Sequence, residues 1–158
     1  MDFQFNRKFS LMAALTVIWM AVIFFFSAQN GNESSGTSER ILLFLCGLWN
    51  YAPSPDTKEL LTLLIRKGAH MTEFGILALL WLGTLRSAAD KAKWHYPAAF
   101  AAASLYAATD EMHQLFVSER AGQVTDWMID SAGAMIFLCI GWLITKAIKN
   151  NKTIISKG

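Results

Sequence analysis

Apolar residues gather in four stretches separated by polar connections, and this grouping predicts the elements. Phe9 to Phe26 (FSLMAALTVIWMAVIFFF) runs 18 residues without a charge. That is about 27 Å of helix, close to the roughly 30 Å of hydrocarbon that a membrane helix crosses. Arg7 and Lys8 precede it as they would a signal peptide, but the run exceeds the roughly 7 to 15 residues of a signal core and reads as a retained anchor. Ala69 to Leu85 is a second run, with His70 and Glu73 near its start. Pro97 to Val117 is a third and opens on AAFAAASLYAA, whose small side chains let helix backbones approach closely. Its far end carries Asp110, Glu111, His113 and Gln114, which makes it the least apolar of the four. Met128 to Thr145 is the fourth and contains one acid, Asp130.

The predicted fold is therefore an all-α membrane protein, a single domain over 1–158 with four transmembrane helices (9–26, 69–85, 97–117 and 128–145) in a bundle. Between the first two lies a long connection, Ser27 to Gly68. It opens polar (SAQNGNESSGTSER) and continues as an eleven-residue apolar stretch, Ile41 to Tyr51. Too short to cross, that stretch is expected at the interface or as a re-entrant segment. Asn32-Glu33-Ser34 fits a glycosylation pattern and is assigned no role. After Pro53 and Pro55, Asp56 followed three residues on by Glu59 forms a helix-start signal. The helix it starts is expected to run unbroken into the second span.

Charge orients these spans. The amino end, the Arg86 to His95 loop and the carboxyl tail hold nine Lys and Arg against two acids, Asp2 and Asp90, while the remainder holds five cations and ten acids. Lys and Arg near span ends mark the cytoplasmic side, so both termini are expected inside, with His95 in a cytoplasmic loop. With 54% hydrophobic and 16% charged residues, against about a quarter charged in soluble domains, the chain does not fit a water-soluble enzyme. A net charge of +2 makes no case for a nucleic-acid partner. Cys46 and Cys139 match no zinc or redox spacing and are expected as buried apolar residues.

Depth connects the spans to chemistry. At about 1.5 Å per residue from each cytoplasmic boundary, Glu73, Asp110 and Asp130 fall at about the same outer level. His70, His113, Gln114, Ser27 and Gln29 lie near it, and Arg66, Lys67, Arg120 and Asp126 at its rim. Residues three, four and seven apart share a helical side. Arg66, His70 and Glu73 thus form one stripe, and Tyr106, Asp110 and either His113 or Gln114 another. Asp126, Asp130 and Gly133 form a third. Charges are costly in lipid, so the stripes are expected to turn inward around one outward-opening cavity. The alternative is that Arg66, Arg120 and the acids make structural ion pairs that pin the helices together. Histidines beside the acids suit proton transfer. No metal is expected: His70-x-x-Glu73 and Asp110-x-x-His113 have bundle-site spacing, but flanking cations repel a metal. No Gly-x-Ser-x-Gly motif points to a nucleophile, and no cofactor is implied.

Arg66-Lys67-x-x-His70-x-x-Glu73-Phe74, Tyr106-Ala-x-Thr109-Asp110-Glu111-x-His113-Gln114-x-Phe116, Arg120 and Asp126-x-x-x-Asp130-x-x-Gly133 together closely resemble the VanZ-like membrane proteins. Ser27-x-Gln29 after the first span fits as well, and the resemblance covers roughly residues 9 to 145. Gln123 departs from it, since relatives more often carry a small hydroxyl residue there. The resemblance implies a small bacterial inner-membrane protein of about four helices, in a family named for low-level teicoplanin resistance. Three functions follow. One is an enzyme acting on a lipid-linked phosphate or headgroup, with Arg66, Lys67 and Arg120 on the anion, aided by Gln114, Glu111, Asp126, Ser27 and Gln29. In it His70, Glu73, Asp110, His113 and Asp130 carry the proton chemistry. The second is a noncatalytic binder or shield of membrane lipids, a lipid-linked cell-wall intermediate or a glycopeptide. The third, a transporter, ranks last because the cytoplasmic half is apolar.

Overall fold

The computed structural model describes residues 7–89 and 93–155, with side chains as far as residue 150. Asp2, Asp90, Lys91 and Lys157, counted in the charge pattern, lie outside the described residues. Five helices follow in order: α1 (Arg7–Ser27), α2 (Gly31–Leu48), α3 (Pro55–Ala88), α4 (His95–Gln114) and α5 (Val124–Ile155). By length and composition α1, α3 and α5 can each cross a membrane. The 20 residues of α4 make about 30 Å of helix, diluted by the polar groups at its end.

The connection after α1 is helical where a polar loop is expected. Asn30 Oδ1 accepts from Glu33 N at 2.8 Å, and Asn30 N donates to Glu33 Oε2 at 3.3 Å. This capping box satisfies two otherwise orphaned donors and starts α2 inside the Gly- and Ser-rich stretch. Gly31, Ser34, Ser38, Leu42 and Cys46 form its buried stripe, and α2 packs on α3. Cys139, by contrast, lies exposed on α5.

α3 is unbroken over 34 residues, as expected, but its cap is Ser54 rather than Asp56. Ser54 Oγ accepts from Thr57 N at 3.4 Å. Pro55 then takes the first helical position, where its missing N–H costs nothing. Asp56 falls in the first turn, where a carboxylate favours the helix dipole. α4 begins at His95, which is buried in the bundle rather than exposed in a loop, and stops at Gln114, short of Val117. α5 extends beyond both ends of its predicted span.

α3 is the hub and packs against every other helix. α1 runs antiparallel to it: Thr16 and Thr84 share a buried hydroxyl contact at 3.0 Å, and Trp19 Nε1 donates to Glu73 O at 2.9 Å. α3 and α5 run parallel with a four-residue step, Gly133 against the Met71 backbone, Gly75 against Phe137 and Gly141 against Leu79. α4 buries Ala99, Ala103 and Ala107, small enough for close approach. Phe74, Leu77 and Ile23 lie in the resulting core. This topology collects the ends of α1 and α4 with the starts of α2 and α5 around residues 66–73 of α3.

Candidate functional site

At that polar end a cavity of about 200 Å³ opens. α3 contributes Arg66, Lys67 and His70, all on one face because they are three or four residues apart. Glu111 and Gln114 reach it from the last turn of α4, and Asp126 and Asp130 from the first turns of α5. Arg120 closes the side formed by the α4–α5 loop. Two predicted residues stand directly behind this lining. Asp110 is only 4% exposed, and its Oδ2 accepts from Gln114 Nε2 at 3.0 Å. The same amide donates to Ser27 Oγ at 3.3 Å, so Gln114 joins the end of α1 to the acid on α4.

Gln29 takes part through its backbone: its carbonyl accepts from Arg120 Nε at 3.2 Å. Glu73 lies deeper than the lining, with Oε2 3.6 Å from His70 Nδ1. His113 is the displaced member. Its ring faces Phe24 of α1 at 4.6 Å, outside the cavity lining. Gln114 sits one full turn from Asp110 and occupies the inward direction, which leaves His113 rotated by about 100°.

Two polar lining residues, Glu119 and Gln123, are not among the predicted site residues. Glu119 adopts a left-handed backbone conformation (φ 60°), and Oε2 accepts from Asn32 N at 3.4 Å, at the start of α2. Gln123 N donates to Glu111 Oε2 at 2.7 Å, which folds the α4–α5 loop back over α4. Gly122 permits that fold, because a Cβ there would run into the Glu111 carbonyl. Loop residues carry no periodicity, so only their closeness in sequence to Arg120 pointed to them.

The charges are unevenly matched. Lys67 is paired with Asp126. Arg66 and Arg120, among the described residues, have no carboxylate within ion-pair distance. Arg66 donates instead to Ser35 Oγ on α2 at 3.4 Å. Burial pushes the Arg120 guanidinium below its usual value and nearby Arg66 adds to the shift, while Asp110, Glu111 and Glu73 offset part of it. Two guanidiniums at one cavity therefore present forked donors without a bidentate acceptor, the geometry that phosphate and carboxylate groups match.

Compared with known families, residues 12–146 match the family model described as VanZ/LLP1. No curated protein and no solved structure matches the chain.

Proposed function

The chain belongs to the VanZ/LLP1 family, and from that premise we propose that it crosses the bacterial inner membrane four times and binds an anionic cell-envelope headgroup in an outward-facing cavity. One observation carries this reading: Arg66 and Arg120 line one cavity without a carboxylate partner. Half-buried cations that share one cavity are costly unless compensated, and a bridging anion compensates both. A purely structural role for these arginines predicts that they pair with the acids, yet among the described residues the acids at this cavity pair with Lys67 and contact His70 instead.

The four crossings rest on α4 as well as the three long apolar helices, since its buried alanine stripe packs it among them. α2, with Phe44, Leu48 and Trp49 exposed, suits the outer interface. Arg86, Lys93 and Lys146 gather at the end opposite the cavity, which favours cytoplasmic termini. In a Cys46→Ala, Cys139→Ala background, Thr37→Cys and Ala121→Cys are expected to react with an impermeant thiol reagent in intact cells, and Lys91→Cys is not. Labelling only at position 91 reverses the orientation.

Isothermal titration of the detergent-solubilised protein with inorganic phosphate and a short-chain phosphatidate tests the binding. Arg66→Ala and Arg120→Ala are each expected to weaken it about 10-fold or more, since hydrogen bonds to charged groups contribute about 1.5 to 3 kcal/mol. Arg86→Ala at the opposite end is expected to leave it unchanged. An absence of binding by the unaltered chain, or losses that track the melting temperature, overturns the reading.

The His70–Glu73 contact and Asp130, 2% exposed at the cavity floor, favour a second reading in which the headgroup is also turned over. Proton transfer is needed only on the way to the transition state. His70→Ala or Asp110→Asn then abolishes turnover and preserves binding, whereas a noncatalytic shield of envelope lipid keeps its full phenotype, including any in glycopeptide sensitivity. Transport fits less well, because the polar groups occupy one end of the bundle.

A further inference from the structure

The polar cavity does not end at Arg66. A second depression, of about 670 Å³, runs between α2 and the first turns of α3, and Arg66 is a wall of both. The hydrogen bond from Arg66 to Ser35 of α2 places its side chain at the partition. From Pro55 to Arg66 the groove follows about 16 Å of helix. That upper part of α3 continues beyond the twenty residues, 69–88, which suffice to cross the hydrocarbon. The groove accordingly lies at headgroup level rather than among acyl chains.

Its lining differs in kind from the cavity. Asp56, Glu59 and Thr62 supply acceptors, the Thr62 hydroxyl itself donating to Lys58 O, and Leu60 and Leu63 supply apolar surface. Lys58 and Glu39 hold each other at 2.5 Å, which leaves Asp56 and Glu59 as the unpaired carboxylates of the groove among the described residues. A second phosphate would meet carboxylates here, and a hydrocarbon tail would strip water from them without returning hydrogen bonds. A neutral polyhydroxyl group satisfies both features: its hydroxyls donate to the carboxylates while its C–H faces lie on the leucines. Resting on the anionic-headgroup reading above, we infer that the α2–α3 groove is a subsite for the sugar of a glycosyl phosphate, whose phosphate lies against Arg66 and Arg120. Arg66 then serves both halves of one ligand.

The test uses the full chain in detergent and four probes: inorganic phosphate, glucose 1-phosphate, maltose 1-phosphate and farnesyl phosphate. Both sugar phosphates are expected to bind at least 10-fold more tightly than inorganic phosphate. Glu59→Gln at an exposed position and Thr62→Leu at a half-buried one are expected to remove that preference and leave phosphate affinity within twofold. Arg66→Ala weakens every probe. Equal affinity of glucose 1-phosphate and phosphate overturns the sugar subsite, as does a preference that survives both groove variants. A gain for farnesyl phosphate alone reassigns the groove to a lipid chain. No binding of any probe overturns the anion cavity itself, which separates that failure from a failure of the groove.

Discussion

The two ends of the bundle treat their cations in opposite ways. At the end where α3 turns toward α4, Arg86 donates to Tyr96 Oη at 2.8 Å and stacks over the same ring at 4.9 Å. On α5, Lys146 lies over the Trp142 ring at 5.0 Å. These side chains cover apolar rings and keep their heads near the surface, as long cations at a membrane boundary do. At the cavity end, Arg66 and Arg120 line the cavity and, among the described residues, have no carboxylate within ion-pair distance. Position along the bundle axis therefore separates cations laid over aromatic rings from the two arginines that line the cavity.

The largest effect expected from probing this contrast concerns backbone contact. Gly133→Ala drives a Cβ into the Met71 backbone just below the cavity, where neither helix can yield locally. It is expected to cost about 3 kcal/mol or to abolish the folded protein. Gly83→Ala near the opposite end meets only the mobile tip of Met12 and is expected within about 1 kcal/mol, helix propensity offsetting the strain. Thermal unfolding in detergent reads both, and equal losses would erase the difference between the ends.

A middle-sized effect belongs to the Lys67–Asp126 pair, whose side chains are 29% and 28% exposed. Lys67→Met or Asp126→Asn alone is expected to destabilise, and the double substitution to recover part of the loss. The coupling should be about 1 kcal/mol. No coupling would mean that Lys67 is as available as the arginines. The smallest effect is expected at Thr16→Val. Thr16 Oγ1 also donates to Met12 O at 2.8 Å, so the contact with Thr84 adds only about 0.6 kcal/mol, by analogy with polar contacts between membrane helices. A loss of several kcal/mol there would show that the apolar half depends on polar pairing as much as the cavity end does.

Long-range periodicity made much of this arrangement legible. Long, mostly apolar runs located the candidate membrane portions of α1, α3 and α5, and the three- and four-residue spacing put Arg66 and His70 on one face, as it did Asp126 and Asp130. Local competition defeated the finer readings. Asn30 and Glu33 form the same kind of box sought at Asp56, but the surrounding glycines and serines weigh toward a loop. Pro55 moved the next cap back to Ser54 because proline fits best as the first helical residue. Between His113 and Gln114, spacing alone left the inward direction open, and the hydrogen bonds to Asp110 and Ser27 decided it. Glu119 was invisible because its role depends on a backbone turn and on the distant start of α2.

The hub position of α3 also bears on how the chain is made. α1 and α2 emerge first, yet each finds its main packing surface on α3, which follows them. Until then Thr16 lacks its partner Thr84, and Ser27 waits longer still, for Gln114 of α4. Local bonds such as Thr16 Oγ1 to Met12 O and the Asn30–Glu33 box form within this early segment, but the arrival of α3 is what turns two waiting helices into a folding unit. An insertion machinery that holds α1 until α3 appears would keep the Thr16 side of α1 from lipid until Thr84 is present.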